Sequence, residues 1–333
     1  MRQRIEKWDI LKFGLIFLVV LGHICDQYVK ESAIVRAMWL FIYSFHMPLF
    51  FFVSGLFSKK KVNNRLYVQM FQYFALYIVA QLFLLLSKIV FLNGYSVELL
   101  NTKDSPWFIF VLVAYYIITT MLQRFDGTYI LIGSIVLACM AGYDNSLSDM
   151  FQISRLIVFY PFFYAGYLLD EEKIREKLSG KRIKVISILM LGIFILYLCM
   201  KVHDVYWIRP LLTGRNAFSK LGELRCPYGW CLRIGYYFVA ACLGMMIIAL
   251  TPERMCHGWI AKWGSRSIQV YVLHRPCIIL LCTKMQIAGY FERIWPSHYH
   301  LLIVPLAAVI TLFCSWGIFE TVIHKMITPR IRK

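Results

Sequence analysis

WDILKFGLIFLVVLGHICDQY, residues 8–28, is apolar from Phe13 to Gly22, yet it opens with Asp9 and Lys12 and carries His23 toward its far end. Its apolar residues run on without alternating with polar ones, which reads as a helix and not as a half-buried strand. A helix crosses the hydrocarbon core of a bilayer with about 20 mostly apolar residues. The segment therefore predicts a membrane-spanning helix that holds an imidazole and two charges. GHICDQY after the apolar run lacks a small-residue cleavage site, so the helix is expected to stay in the protein and not to be removed as a signal peptide.

Runs of the same kind recur along the 333 residues, which are 60% hydrophobic, 17% aromatic and only 16% charged. An ordinary soluble domain carries about a quarter charged residues. Spans must be helices or a closed barrel, because lipid offers no partner to an exposed peptide group; continuous runs select helices. The expectation is an all-α, polytopic membrane protein forming one membrane-embedded domain, residues 1–333. About ten spans are expected, over 10–28, 34–57, 66–87, 106–122, 128–143, 152–169, 183–200, 229–250, 268–288 and 301–323.

Ten spans put both termini on one side of the membrane, and the distribution of Lys and Arg chooses the side. With both termini cytoplasmic, the inner segments hold about twice as many Lys and Arg as the outer ones. DEEKIREKLSGKRIK (170–184) contributes six of the inner ones and SKKKVNNRLY (58–67) four. The formal net charge of +18 thus follows from orientation, and no nucleic-acid partner is needed. A cell membrane, plasma or inner, is the expected location.

Ionisable side chains inside spans are costly and point to function. Lys12 and His23 are eleven residues apart, which is three helical turns plus about 20°, so they share a face about 16 Å apart along the axis. Asp9 lies within about 40° of the same line. Lys12 alone could be a snorkelling anchor. His23, well inside the bilayer, can exchange a proton near neutral pH; the alternative is a packing histidine bonded to a neighbour. In FHMPLFFFVSG (45–55), Pro48 cannot donate to the carbonyl of Ser44, so a kink is expected beside His46. Ser54 and Gly55 read as close-packing positions. Arg155, at the expected outer end of SRLIVFYPFFYAGYLL (154–169), reads as a snorkelling anchor or a contact for a hydroxyl-rich or anionic acceptor. In YVLHRP (271–276), His274 and Arg275 fall about 10 Å from the inner surface by helical rise, and Arg275 could pair with phosphate.

The ten cysteines form no CxxC pair, so no metal or redox site is expected; Cys226 and Cys231 could pair across a loop edge. The segment 201–228, KVHDVYWIRPLLTGRNAFSKLGELRCPY, mixes aromatics with Arg and Lys. It could contact a sugar chain or be an ordinary amphipathic outer loop.

WDILKFGLIFLVVLGH (8–23) resembles the opening signature of the acyltransferase 3 family of membrane acyltransferases, in which a basic residue, ten intervening residues and a histidine mark the first helix. Lys12 and His23 have that spacing. FHMPLFFFVSGLF (45–57), PWFIFVLVAYYI (106–117), SRLIVFYPFFYAGYLL and SIQVYVLH (267–274) resemble later segments of the family in the same order. The FHMP and RLIVFYPFFYAGY forms are most similar to the fucose 4-O-acetylase-like and intercellular-adhesin-modifying branch.

The resemblance implies transfer of an acyl group, commonly acetyl from cytoplasmic acetyl-CoA, to a hydroxyl of an extracytoplasmic glycan or its lipid-linked precursor, with no bound cofactor. His23 would then be the acid–base residue or a transient acyl carrier. Lys12, with Asp9, would help hold the donor, and Arg275 and His274 would add donor or substrate contacts; His46, Arg155 or backbone N–H groups near Pro48 are the candidates for stabilising the developing oxyanion. The family often has an Arg-x-x-Arg element at the start of the third helix. Here Arg65 stands after Asn63 and Asn64 with no such pair, and Lys59 to Lys61 are the basic residues expected in its place. The other reading is a non-enzymatic transporter or exporter of a glycan or lipid intermediate. A passive conduit does not need the Lys12–His23 stripe, and transporters commonly show internal repeats, which are not visible here.

Overall fold

Helices account for every regular element in the computed structural model, which describes residues 5–59, 62, 66–92, 106–147, 152–255 and 258–327. They are α1 (Glu6–Tyr28), α2 (Ala33–Leu56), α3 (Leu66–Leu92), α4 (Trp107–Leu122), α5 (Gly127–Ala141), α6 (Ile153–Leu168), α7 (Glu171–Leu178), α8 (Lys181–Val205), α9 (Arg209–Leu212), α10 (Gly229–Leu250), α11 (Trp259–Gly264), α12 (Ser267–Ile278), α13 (Ile287–Ile294), α14 (Ile303–Cys314) and α15 (Gly317–Ile327). Five segments are long and apolar enough to cross a membrane: Glu6–Tyr28, Ala33–Leu56, Met70–Leu92, Lys181–Leu212 and Cys226–Leu250. The fourth shows what a lipid solvent asks of a surface. Ile186, Ile188, Leu189, Ile193, Leu196 and Met200 of α8 are all exposed, as they would be beside hydrocarbon but not beside water.

Two expected spans differ from the structure. The segment expected over 268–288 is α-helical to Ile278, continues as a π-helical turn over Ile279–Lys284, and ends there. Gln286 then adopts a left-handed backbone with φ of 49° before α13 starts. The span expected over 301–323 is broken between α14 and α15. The break has a tertiary cause. Gln269 Nε2 donates to the carbonyls of Cys314 and Trp316, at 2.6 and 2.8 Å. Arg266 Nη1 donates to the carbonyl of Ser315 at 3.1 Å. Side chains of α12 thereby satisfy carbonyls that an unbroken helix would have bonded to itself. Pro48, in contrast, does not interrupt α2, which stays helical from Ala33 to Leu56.

The chain falls into two compact units. The first comprises Met1–Ile42, Phe74–Leu99 and Thr251–Lys333. Here α1 packs against α11, α12 and α14, and α12 packs against α14. Trp8, Leu11, Leu15, Ile16, Val19, Val20 and Ile24 of α1 are buried. Gly264 closes α11 onto the start of α1 so tightly that a Cβ there would meet the carbonyl oxygen of Asp9 at 1.7 Å. Lys7, only 1% exposed, fastens the base of α1: its Nζ donates to the Thr251 carbonyl at 2.9 Å and pairs with Glu253 at 3.1 Å.

The second unit comprises Tyr43–Tyr73 and Leu100–Leu250. In it α6 packs on α4 and α5, and α10 on α5 and α8. The C-terminal half of α2 meets α6 backbone to backbone: a Cβ at Gly55 would lie 1.9 Å from the Phe163 carbonyl oxygen, and one at Gly166 would lie 2.0 Å from that of Phe52. Gly55 is thus a packing residue, as its sequence context suggested. Phe51, Trp107, Tyr115, Phe159 and Phe163 form an aromatic cluster beside this crossing. The segment 201–228 is not an open loop. It folds into short helices that bury Leu211, Leu212, Phe218 and Leu221.

Candidate active site

In the first unit, the polar residues of α1 meet those of α12. His23 and His274 are stacked, with ring centroids 5.4 Å apart and planes 29° from parallel. His274 is fully buried. Its Nδ1 lies 2.8 Å from the carbonyl of Tyr271 and 3.0 Å from that of Val270. Both partners only accept, so Nδ1 carries the proton and Nε2 is left with a lone pair. Nε2 is buried and has no hydrogen-bond partner. Pro276 two residues on cannot donate to Val272, and the helix widens into the π turn after it. The ring that approaches His23 is therefore set in its orientation by its own helix.

His23 has a second polar neighbour. Asp26, one turn farther along α1, brings Oδ2 within 3.8 Å of His23 Nδ1. The indole Nε1 of Trp39, on α2, donates to Asp26 Oδ1 at 2.7 Å. Trp39, Asp26, His23 and His274 thus form one connected row. Such a row suits proton transfer: a carboxylate stabilises an imidazolium as it forms, and a held ring limits its motion. At the other end of α1, Lys12 Nζ pairs with Asp9 at 2.8 Å. The two residues expected on one stripe touch, and Asp9 is buried while Lys12 is partly exposed. Arg275, next to His274, is half-buried.

The remaining expected site residues lie in the second unit. His46 is buried and packs edge-on against Tyr43, with centroids 4.9 Å apart. Arg155 does not snorkel. It is 5% exposed, sits over the Trp107 ring with its guanidinium carbon 4.6 Å from the centroid, and donates from Nη1 to Gln152 Oε1. An aromatic face and an amide hold this cation inside the protein, so a role as interface anchor does not apply. Lys59 donates to the carbonyls of Leu168 and Leu169; Lys60, Lys61 and Arg65 lie outside the described residues. Cys226 and Cys231 are free thiols, so the bridge considered between them is not formed. Among the described residues no cluster of His, Cys, Asp or Glu could hold a metal ion.

The family described as an acyltransferase domain, acyltransferase 3, matches residues 5–320. The chain belongs to that family. Membership accords with the ordered segments that suggested it and supports an acyl-transferring enzyme. Two nodulation proteins named NolL are similar. The one from Sinorhizobium fredii is 28% identical over 205 residues, 54% of this chain and 53% of the relative. The one from Mesorhizobium japonicum is 25% identical over 186 residues, 49% of this chain and 47% of the relative. The chain spans about half the length of the curated relatives it matches. No solved structure matches.

Sequence reasoning missed two members of the row. Asp26 was open to discovery, since an acid three residues after a membrane histidine shares its helix face. Trp39 was not, because only tertiary structure brings its indole to Asp26.

Proposed function

We propose that the protein is a multi-pass enzyme of the cell membrane that moves an acyl group, acetyl in the first instance, from cytoplasmic acyl-CoA to a hydroxyl of a surface or exopolysaccharide sugar or its lipid-linked precursor. The observation that carries this reading is the stacked His23–His274 pair flanked by Asp26, in a chain of an acyltransferase family. We read 1–333 as one catalytic membrane domain, with about ten crossings and both termini cytoplasmic, from the distribution of Lys and Arg.

The chemistry asks for one base. The acceptor hydroxyl gives its proton to His23 as its oxygen attacks the thioester carbonyl. The tetrahedral oxyanion collapses, the carbon–sulfur bond breaks, and the CoA thiolate takes the proton back from His23. One ester and one thiol result. Asp26 stabilises the imidazolium between the two transfers, and His274 fixes the ring plane. Lys12, with Asp9, and Arg275 serve the phosphates of the donor. His46 and Arg155 are assigned to the acceptor side.

The test is His23→Gln in the full chain, with membrane insertion and amount checked against wild type. Ester-linked acetyl on the surface polysaccharide should disappear, while binding of labelled acetyl-CoA to the purified protein should persist. Acetylation at the wild-type level would remove His23 from the chemistry. Failure of the wild-type protein to bind acyl-CoA would remove the donor.

A further inference from the structure

Arg233, in the first turns of α10, is fully buried. Its Nη1 donates to the carbonyl of Leu211 at 3.1 Å, and its guanidinium carbon lies 5.4 Å from the centroid of the Phe218 ring. Both partners belong to the folded segment 201–228. That segment is firmly seated: a Cβ on either Gly142 or Gly229 would lie 2.2 Å from the Phe218 ring. The guanidinium is therefore held from one side by a rigid roof.

The other side is different. Nε and Nη2 of Arg233 are buried and have no hydrogen-bond partner. These two nitrogens form one edge of the guanidinium, with parallel N–H bonds spaced to meet both oxygens of a carboxylate or phosphate. No described carboxylate forms an ion pair with Arg233. Tyr236, three residues on and so on the same helix face, is 3% exposed, and its hydroxyl is likewise buried without a partner. The adjacent Tyr237 hydroxyl, in contrast, is spent on the Val158 carbonyl. A buried cation with its two-pronged edge unused is a costly arrangement for a fold to keep without a counter-charge.

We propose that the Nε–Nη2 edge of Arg233, together with the Tyr236 hydroxyl, is a binding site for an oxyanion, a carboxylate or phosphate ester on the ligand. Two sources share that chemistry: an acidic sugar and an anionic lipid headgroup. The site does not rest on the assignment of His23 and is tested by binding rather than turnover.

The full chain, purified in neutral detergent, is titrated with inorganic phosphate and with glucuronate at constant ionic strength, reading Tm by tryptophan fluorescence. In parallel, nanodiscs of phosphatidylcholine are compared with nanodiscs containing phosphatidylglycerol. A saturable rise in Tm is expected for wild type. Arg233→Lys keeps the charge but loses the paired edge, and should weaken apparent affinity about tenfold. Tyr236→Phe removes one oxygen and should weaken it about threefold; it keeps the test sound where Arg233→Lys does not fold. A rise with glucuronate or phosphate that the variants weaken supports the site and assigns a soluble or sugar-borne anion. A variant-sensitive rise with phosphatidylglycerol alone supports it and assigns a headgroup. No saturable rise in wild type with any probe, or variants that titrate like wild type, would overturn the proposal.

Discussion

His23 and His274 come from opposite ends of the sequence and lie with ring centroids 5.4 Å apart, 29° from parallel. His274 Nδ1–H is already committed to the Tyr271 and Val270 carbonyls, which holds its ring in place against that of His23. His23→Gln and His274→Gln should each lower acyl transfer by about 10²–10⁴-fold. The double variant should be little worse than the worse single one, because the two act as a unit. Losses that multiply in the double variant would mean independent roles.

Asp26 predicts a smaller and separable effect. Its Oδ1 accepts from Trp39 Nε1 at 2.7 Å, and its Oδ2 stands 3.8 Å from His23 Nδ1. Asp26→Asn preserves size while removing the charge that steadies an imidazolium. Turnover should fall by about 10–100-fold, a share of what general-base removal costs, with donor affinity unchanged. Trp39→Phe should produce part of that loss. A fall in acyl-CoA affinity with turnover preserved would place Asp26 at the donor instead.

The helices long and apolar enough to cross a membrane were legible in the sequence because an apolar surround constrains every residue of such a run. The run 229–250 is α10 end to end, and 10–28 and 34–57 lie within a few residues of α1 and α2. His23 drew attention for the same reason, since an imidazole in an apolar run stands out, and the structure sets it beside His274. The break after Cys314 was not legible. Nothing in the apolar run over 301–323 requires it, and it arises from Gln269 and Arg266 on another helix. The choice between the two readings of Arg155 was not legible either: whether an arginine near a helix end snorkels or is buried depends on an aromatic partner, here Trp107, that sequence spacing does not reveal.

The break itself supports a prediction. Gln269, 4% exposed, is the donor to both Cys314 and Trp316 carbonyls. Gln269→Leu keeps bulk but strands one buried acceptor, at about 1–3 kcal/mol, and one partly buried acceptor at less. Thermal unfolding in detergent should show a drop in Tm of several degrees. Glu320 pairs with Arg266 at 2.8 Å but is half exposed, so Glu320→Gln should cost less than about 1 kcal/mol. Equal losses in the two variants would contradict the capping role of Gln269.

Two glycines, one within α1 and one packed against it, should respond in opposite directions to the same substitution. At Gly264, an added Cβ would fall 1.7 Å from the carbonyl oxygen of Asp9, a backbone atom that cannot rotate aside. Gly264→Ala must push α11 off α1, disturbing the Phe13–Trp263 contact at 5.7 Å and the Asp9–Lys12 pair. Overpacking of this kind costs about 1–3 kcal/mol. At Gly14, inside α1, an added Cβ meets nothing within 4 Å. Gly14→Ala removes only the flexibility of a helical glycine, and should raise stability by up to about 1 kcal/mol. Thermal unfolding of both variants in one detergent reads the difference directly. If Gly264→Ala proved as stable as wild type, the close approach of α11 to α1, and with it the seating of Asp9 and Lys12, would be wrong.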